Sequence, residues 1–145
     1  MPVEFSSSLE SQSHDLCVTI ETHDEHHMGA NTVLIIPSRP IGNVSRFHTT
    51  NGDAFFTPDG NGLIIQDACV ILFFDLNTGD VFNREPPETW YFTKVRIEYQ
   101  SLLSQLYDGS GNRKTHAPMP LVDIKSEFTR GFGPVDGGRF PSAHP

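Results

Sequence analysis

The sequence predicts an all-β protein, and three of its features favour that class. The 12 Gly and 11 Pro among 145 residues indicate frequent chain reversals. Short segments of alternating apolar and polar residues lie between these turn residues. The 11 Phe add to the strand tendency, because aromatic residues favour strands. We predict a small antiparallel β-barrel of about eight strands, because closure removes exposed sheet edges, with a β-sandwich as the alternative.

The length fits a single domain. Residues 1–15 are rich in Ser and are expected to be weakly structured. Residues 16–130 form the predicted β domain, and residues 131–145 form a Gly- and Pro-rich tail. Cys17 and Cys69 lie in apolar, strand-like segments. We interpret them as buried thiols, with one disulfide between them as the alternative.

The first half of the chain contains four segments that are predicted to be strands, and the first of them alternates between apolar and polar residues. They are residues 16–21, 32–36, 44–50 and 53–57. The polar segment 22–31 between the first two is predicted to be a loop. Asn51-Gly52 is a strong signal for a two-residue hairpin, so 44–50 and 53–57 are expected to pair.

The segment 63–75, LIIQDACVILFFD, contains the longest apolar run. Both of its faces are largely apolar when residues are counted by twos. We interpret it as one strand that is covered on both sides. Asn77-Thr78-Gly79 predicts a turn after it, and Val81-Phe82 a short return strand.

The segment 89–100 gives the clearest alternation. Its odd positions, from Tyr91 to Tyr99, are apolar, β-branched or aromatic, and its even positions change from aromatic to charged. Residues 101–107 are predicted to continue as a strand, with a short helix near 100–108 as the alternative. Residues 121–128 alternate and predict a half-exposed strand.

The formal charge of −8 argues against binding to nucleic acid or to anionic membranes, because both need a basic surface. The first residues show no secretory signal, and the longest apolar run is far shorter than the ~18 residues that span a bilayer. We therefore expect a cytoplasmic protein with neither kind of partner.

A histidine group at His23, His26 and His27, with Asp24 and Glu25 between them, is the strongest metal-like pattern. Two His four residues apart share one face of a helix and bind zinc there. No helix signal surrounds this group, so we interpret it as a solvated acidic loop. No glycine-rich phosphate motif occurs either, and we predict no metal and no cofactor.

The charged strand 89–100 is the best candidate for a binding surface. If its even side faces a barrel interior, aromatic side chains form a wall that ends in charged groups, as in many ligand pockets. The predicted substrate-binding residues are Trp90, Phe92, Arg96, Phe73 and Tyr99. The predicted catalytic residues are Glu98, Asp67, Asp75 and His48.

Each of these residues also has a structural interpretation. The even side of the strand could be an ordinary solvated face. Asp75 could cap the Asn77 turn, backbone groups could satisfy Asp67, and His48 could be structural or exposed.

Two functions follow from these patterns. The first is a cofactor-independent isomerase or cyclase that holds an elongated hydrophobic small molecule in an aromatic-lined pocket. The second is a non-enzymatic ligand-binding or protein-interaction module of the same fold, which uses its pocket or an exposed aromatic edge.

Overall fold

The computed structural model describes residues 5–25 and 30–133, and their strands form three antiparallel sheets. The first sheet contains, in spatial order, β1 (Phe5–Glu10), β2 (Cys17–Glu25), β3 (Ala30–Pro37) and β4 (Phe47–Thr50). The central sheet contains β5 (Asp53–Phe56), β6 (Gly62–Asp67), β7 (Val70–Asp75) and β8 (Val81–Arg84). The outer sheet contains β9 (Tyr91–Glu98) and β10 (Ser101–Tyr107), with β11 (Arg113–Thr115) and β12 (Met119–Pro120) one after the other along the far edge of β10. A 3₁₀ turn (Leu121–Asp123) and a short helix α1 (Ile124–Glu127) follow, and β13 (Thr129–Arg130) returns to pair with β8.

The central sheet lies between two hydrophobic cores. The first core packs it against the first sheet and consists of Leu16, Val18, Ile20, Val33, Ile35, Ile41, Val44, Phe47, Ala54, Leu63, Ile65, Val70, Leu72 and Phe74. The second core packs it against the outer sheet and α1, and consists of Ile64, Ile71, Phe73, Phe82, Phe92, Val95, Leu102, Leu106, Ile124 and Phe128. Every residue of β6 and β7 is buried. The expected covering of this region on both faces is confirmed.

The all-β class is confirmed, but the described residues form no closed barrel. β1 and β4 are the end strands of the first sheet, so that sheet does not close on itself. The physical reason lies in β6 and β7. A strand that is apolar on both faces needs a layer on each side, whereas the outer wall of a single small barrel faces water.

The segment 63–75 is a hairpin rather than one strand. Asp67 pairs with Val70, and the chain turns at Ala68 and Cys69. This turn changes which residues share a face, because Ile65 now lies opposite Leu72. Cys69 is therefore a turn residue and not a mid-strand thiol.

Asn51-Gly52 does not close the hairpin that its sequence predicts. β4 pairs with β3, and β5 pairs with β6, so the two segments belong to different sheets. Asn51 has the positive φ of 53° that suits such a turn. The chain uses this conformation to cross from the first sheet to the central sheet.

The predicted loop 22–31 is too long, because β2 continues to Glu25 and β3 begins at Ala30. His26 and His27 lie outside the described residues. Part of the segment expected to be weakly structured forms β1, which pairs with β2 along its whole length. The tail was expected from residue 131 onward, and its residues after 133 lie outside the described part.

The strand prediction for 101–107 is confirmed, whereas the one for 121–128 is wrong. Ile124 and Phe128 are buried. Ser126 between them and Val122 before them are exposed. This four-residue spacing belongs to a helical turn, not to a strand. Among the described residues, no helix reaches the length and apolarity that crossing a membrane requires.

No disulfide joins Cys17 to Cys69. Both side chains are partly exposed, so the prediction of buried thiols is wrong. The Cys17 thiol donates to Glu10 Oε1 at 3.6 Å. Desolvation, then the nearby Glu10 carboxylate, raises the pKa of the Cys17 thiol and disfavours its thiolate.

Candidate functional site

The predicted binding face of β9 is interrupted by a β-bulge. Lys94 pairs with Gln105 but Phe92 pairs with Leu106, so Thr93 is the extra residue. The bulge reverses the alternation along the strand. Phe92 is 2% exposed and Val95 is 5% exposed, so both face the second core.

Arg96 and Glu98 consequently lie on the solvent side of β9, away from Phe92. Arg96 Nε donates to Glu98 Oε2 at 2.6 Å, and the two side chains are 42% and 45% exposed. The structure therefore contradicts the predicted pocket in which Phe92, Arg96 and Glu98 share one side.

The remaining predicted binding residues are dispersed. Trp90 is partly buried beside the second core, and Lys114 Nζ lies 4.3 Å from the centre of its ring. Phe73 belongs to the second core, and Tyr99 is 96% exposed. No single cavity of the described residues contains these three side chains.

Two predicted catalytic residues do meet, at what we call the His48 pocket. It has a volume of about 380 Å³ and is lined by Thr32, His48, Thr49, Thr50, Asp67, Ala68, Cys69 and Tyr91. Asp67 Oδ2 accepts from the Thr50 N–H at 3.0 Å and Asp67 Oδ1 from the Cys69 N–H at 2.9 Å. Backbone groups thus satisfy Asp67, and no hydrogen bond or ion pair joins it to His48 in the described part of the chain. Burial, and then the charge of Arg46, lowers the pKa of His48.

Asp75 lies in a second depression, which we call the Asp75 groove. Its volume is about 280 Å³, and its lining residues are Thr57, Pro58, Asp59, Asn61, Gly62, Phe73, Asp75, Asn77, Gln100, Leu121, Val122 and Lys125. Asp75 accepts from the N–H groups of Asn77 and Thr78 and forms an ion pair with Lys125. The predicted capping of the Asn77 turn by Asp75 is confirmed.

Two carboxylates of this groove are held in the ionised form. Burial raises the pKa of Asp75, but the ion pair with Lys125 and the turn N–H groups outweigh it and hold the pKa below its ordinary value. Hydrogen bonds from the Asn61 N–H and the Thr57 hydroxyl lower the pKa of Asp59. The groove thus sets two negative charges against the single Lys125.

One residue that lines the groove, Val122, has an exposed apolar side chain, and a second exposed side chain, Tyr99, adjoins the lining residue Gln100 in the chain. Tyr99 is 96% exposed and Val122 is 89% exposed. A hydrogen bond joins the residues next to them in the chain, since the Leu121 N–H donates to the Gln100 carbonyl at 2.9 Å. Tyr99 and Gln100 have φ of 50° and 61°, a left-handed pair that normally takes Asn-Gly. Such a conformation costs about 1–3 kcal/mol for each residue.

The third depression, the Arg84 pocket, contains no residue that the sequence singled out. It measures about 420 Å³ and is lined by Arg84, His116, Ala117, Pro118, Met119, Pro120, Asp123 and Glu127. These residues come from the end of β8, from the gap between β11 and β12, from β12 itself, and from the region of α1. No spacing in the sequence links them, and the only signal is a cation that closely follows the apolar pair Val81-Phe82.

A metal site does not form from the described His, Cys, Asp and Glu residues, since no three of them are grouped suitably. His23 Nε2 lies 3.8 Å from Glu21 Oε1, on the same face of β2. The predicted partners His26 and His27 are outside the described residues. Comparison of the chain with protein-family models, curated proteins and solved structures finds no match to any of them.

Proposed function

We propose that this chain is a protein-interaction module that binds a basic, partly apolar segment of a partner protein at the Asp75 groove. The observation that carries the proposal is the placement of Tyr99 and Val122. Both are almost fully exposed. Val122 lines a groove with an excess of negative charge, and Tyr99 adjoins the lining residue Gln100 in the chain. Exposed apolar residues beside a groove mark recognition sites more often than folding requirements.

The conformation of Tyr99 supports recognition. A tyrosine at this turn costs backbone strain, and its side chain recovers no packing energy because it is 96% exposed. Asn-Gly at the same positions would make the turn without that strain. A smaller residue would therefore serve folding equally well. Contact with a partner, by contrast, would bury the aromatic ring in an interface.

Charge indicates the kind of partner. Asp59 and Asp75 outnumber Lys125 within the groove, and the whole chain carries −8. Complementary charge accelerates encounter and selects between partners. A volume of about 280 Å³ accommodates one or two side chains, at the lower limit of the ~300–1,000 Å³ typical of small-molecule pockets. A Lys or Arg of the partner would enter the groove while an apolar neighbour contacts Tyr99.

The catalytic alternative, a cofactor-independent isomerase or cyclase, draws its support from the His48 pocket. That pocket brings His48 and Asp67 to one surface, with Tyr91 beside them. A general base needs an open acceptor within reach of the substrate proton. The Asp67 carboxylate is held by the backbone N–H groups of Thr50 and Cys69, and no hydrogen bond aligns it with His48 within the described residues. For this reason we favour recognition over chemistry.

The proposal is tested with a fluorescein-labelled peptide of alternating Lys and Leu and a matched peptide of alternating Glu and Leu. We expect the Lys-Leu peptide to bind and the Glu-Leu peptide not to, with binding weakening as salt is added. Amide chemical-shift changes should centre on Tyr99, Gln100 and Val122.

Uncharged substitutions separate a specific site from general attraction to an acidic protein. Tyr99→Ser and Val122→Ser leave the net charge unchanged, and each should weaken Lys-Leu binding by about tenfold or more. Tyr91→Ser is the matched control, because Tyr91 is 47% exposed but lies at the His48 pocket. Equal binding by all three variants would overturn the proposal.

A further inference from the structure

The Arg84 pocket holds opposite charges that do not pair with one another. Arg84, Asp123 and Glu127 all line it. Within the described residues, none of their side chains makes a hydrogen bond or an ion pair. Charged groups that share a depression usually form such pairs, because each satisfies the other. Their separation leaves room for a ligand that pairs with both signs.

Arg84 is the most unusual of these groups. Its side chain is half-buried at the end of β8, and a guanidinium carries five N–H donors. Burial lowers its pKa, and the negative charge of Glu127 opposes that shift. A half-buried cation without an acceptor is costly, and a carboxylate satisfies it best because it matches the guanidinium fork.

His116 adds a second unsatisfied group to the same pocket. Its Nδ1 is shielded from solvent and has no hydrogen-bond partner among the residues that the structure describes. The ring is held edge-on to Phe92, with 6.3 Å between ring centres, and its backbone N–H donates to the Ser104 carbonyl. Burial, then the charges of Arg84 and Lys114, lowers the pKa of His116, so the imidazole is neutral near pH 7. The ring position is fixed and Nδ1 is shielded, so a ligand in the pocket would contact the ring at its other nitrogen, Nε2.

The rest of the wall is apolar. Ala117, Pro118 and Met119 line the pocket between the two charged sides. The volume of about 420 Å³ lies within the range of small-molecule sites. The pocket therefore combines a cation, two carboxylates, a neutral imidazole and an apolar surface.

We infer that the Arg84 pocket binds a small α-amino acid with an apolar side chain. Arg84 and His116 take the carboxylate, Asp123 and Glu127 take the ammonium group, and the side chain packs on Pro118 and Met119. The site shares no lining residue with the Asp75 groove, so it is independent of the interaction proposed there.

The experiment compares L-leucine with two analogues that each lack one charge, 3-methylbutylamine and N-acetyl-L-leucine. Binding is followed by calorimetry and by the NMR signal of the His116 ring. L-leucine should bind and shift that signal, and each analogue should bind about tenfold more weakly or less, since one charged partner is lost. Absence of L-leucine binding, or N-acetyl-L-leucine binding as tightly as L-leucine, would overturn the inference.

Two variants locate the site on the chain. Arg84→Gln and Glu127→Gln should each weaken L-leucine binding by about tenfold or more. Arg113→Gln is the control, because Arg113 is exposed and lies over the Tyr107 ring outside the pocket. The amide spectrum of each variant reports whether it folds. Folded Arg84→Gln protein that binds L-leucine like the unmodified chain would place any binding elsewhere and refute the assignment.

Discussion

The two sides of the central sheet are built in different ways. On one side, the first sheet is a regular meander in which β1, β2, β3 and β4 pair in chain order. On the other side, the outer layer contains a bulge at Thr93, a gap between β11 and β12, a 3₁₀ turn and a four-residue helix. Both the Asp75 groove and the Arg84 pocket lie on this irregular side.

The difference has a simple cause. A regular sheet satisfies its backbone groups within the ladder and presents a continuous apolar face to the central sheet. The His48 pocket on this side lies where β4 ends at Thr50 and where the chain turns at Ala68 and Cys69. Where the ladder is interrupted, side chains no longer alternate between the two faces of the sheet. Some polar groups there are left without a hydrogen-bond partner among the described residues. His116 lies in the gap between β11 and β12, and its Nδ1 has no hydrogen-bond partner in the described part of the chain. The two sites proposed above therefore both lie where the backbone is irregular.

The largest expected effect tests whether the regular side is also the more rigid one. Ile71 and Leu72 are neighbours on β7, both 0% exposed, and they point into the second and the first core respectively. Each substitution to Ala should lower the free energy of unfolding by about 2–5 kcal/mol. Leu72→Ala should be the costlier, because a regular sheet collapses less into the space that is left.

The measurement is urea unfolding of both variants, with the slope checked for a change in the denatured state. The two residues have similar volume, so the comparison is matched. A larger loss for Ile71→Ala would reverse the distinction between the cores. A loss below about 1 kcal/mol for Ile71→Ala would mean that the outer layer does not pack on β7.

The strand content was predictable because alternation and turn residues are local signals. The arrangement of the sheets in layers was only partly predictable from the sequence. The two apolar faces of 63–75 correctly indicated cover on both sides, and this same pattern argues against a single barrel. The sequence contains no signal for the turn at Ala68 and Cys69, because neither residue is a strong turn former. Pairing partners depend on the whole chain, and for that reason the Asn51-Gly52 signal predicted the wrong connection.

The second effect concerns the Asp75 groove on the irregular side. Asp75→Asn removes the ion pair with Lys125 but preserves an oxygen for the turn N–H groups. We expect a loss of about 1–2 kcal/mol in the free energy of unfolding at pH 7, limited because the Lys125 side chain is 55% exposed. Asp123→Asn is the control, as Asp123 is exposed and its side chain caps nothing.

The pH dependence of unfolding tests whether the Asp75 carboxylate stabilises the fold through its ionised form. The folded-state pKa of Asp75 lies below its ordinary value, so its carboxylate stabilises the fold fully above the unfolded pKa of about 3.9. That contribution is lost as the pH falls through the lower folded pKa. The stability difference between the unmodified chain and Asp75→Asn should therefore shrink below about pH 4. A difference that grows on acidification would contradict the assigned ion pair.

The candidate sites were less predictable than the strands. Asp67 and Asp75 stood out because carboxylates are rare inside apolar segments, and both have the structural roles expected as alternatives. Arg84 and His116 could not be found, since they are 32 positions apart in the sequence and only the fold brings them to one pocket. The face of β9 was misassigned because one inserted residue, Thr93, exchanges its two sides. A bulge carries no compositional signal here, as Thr suits a regular strand equally well.

The smallest expected effect concerns the Arg96–Glu98 pair, which an enclosed pocket would have made important. Both side chains are more than two-fifths exposed, so water and salt screen their attraction. Arg96→Met and Glu98→Gln should each change the free energy of unfolding by no more than about 0.5 kcal/mol, and the double variant should show little coupling. Neither should alter binding of L-leucine or of the Lys-Leu peptide, because neither residue lines the Arg84 pocket or the Asp75 groove. Coupling above about 1 kcal/mol would show that the irregular outer sheet depends on its surface charges for stability. In that case the bulge at Thr93, which places this pair on the solvent side, would also help to stabilise the outer sheet. It would not only explain why Arg96 and Glu98 lie outside the binding sites.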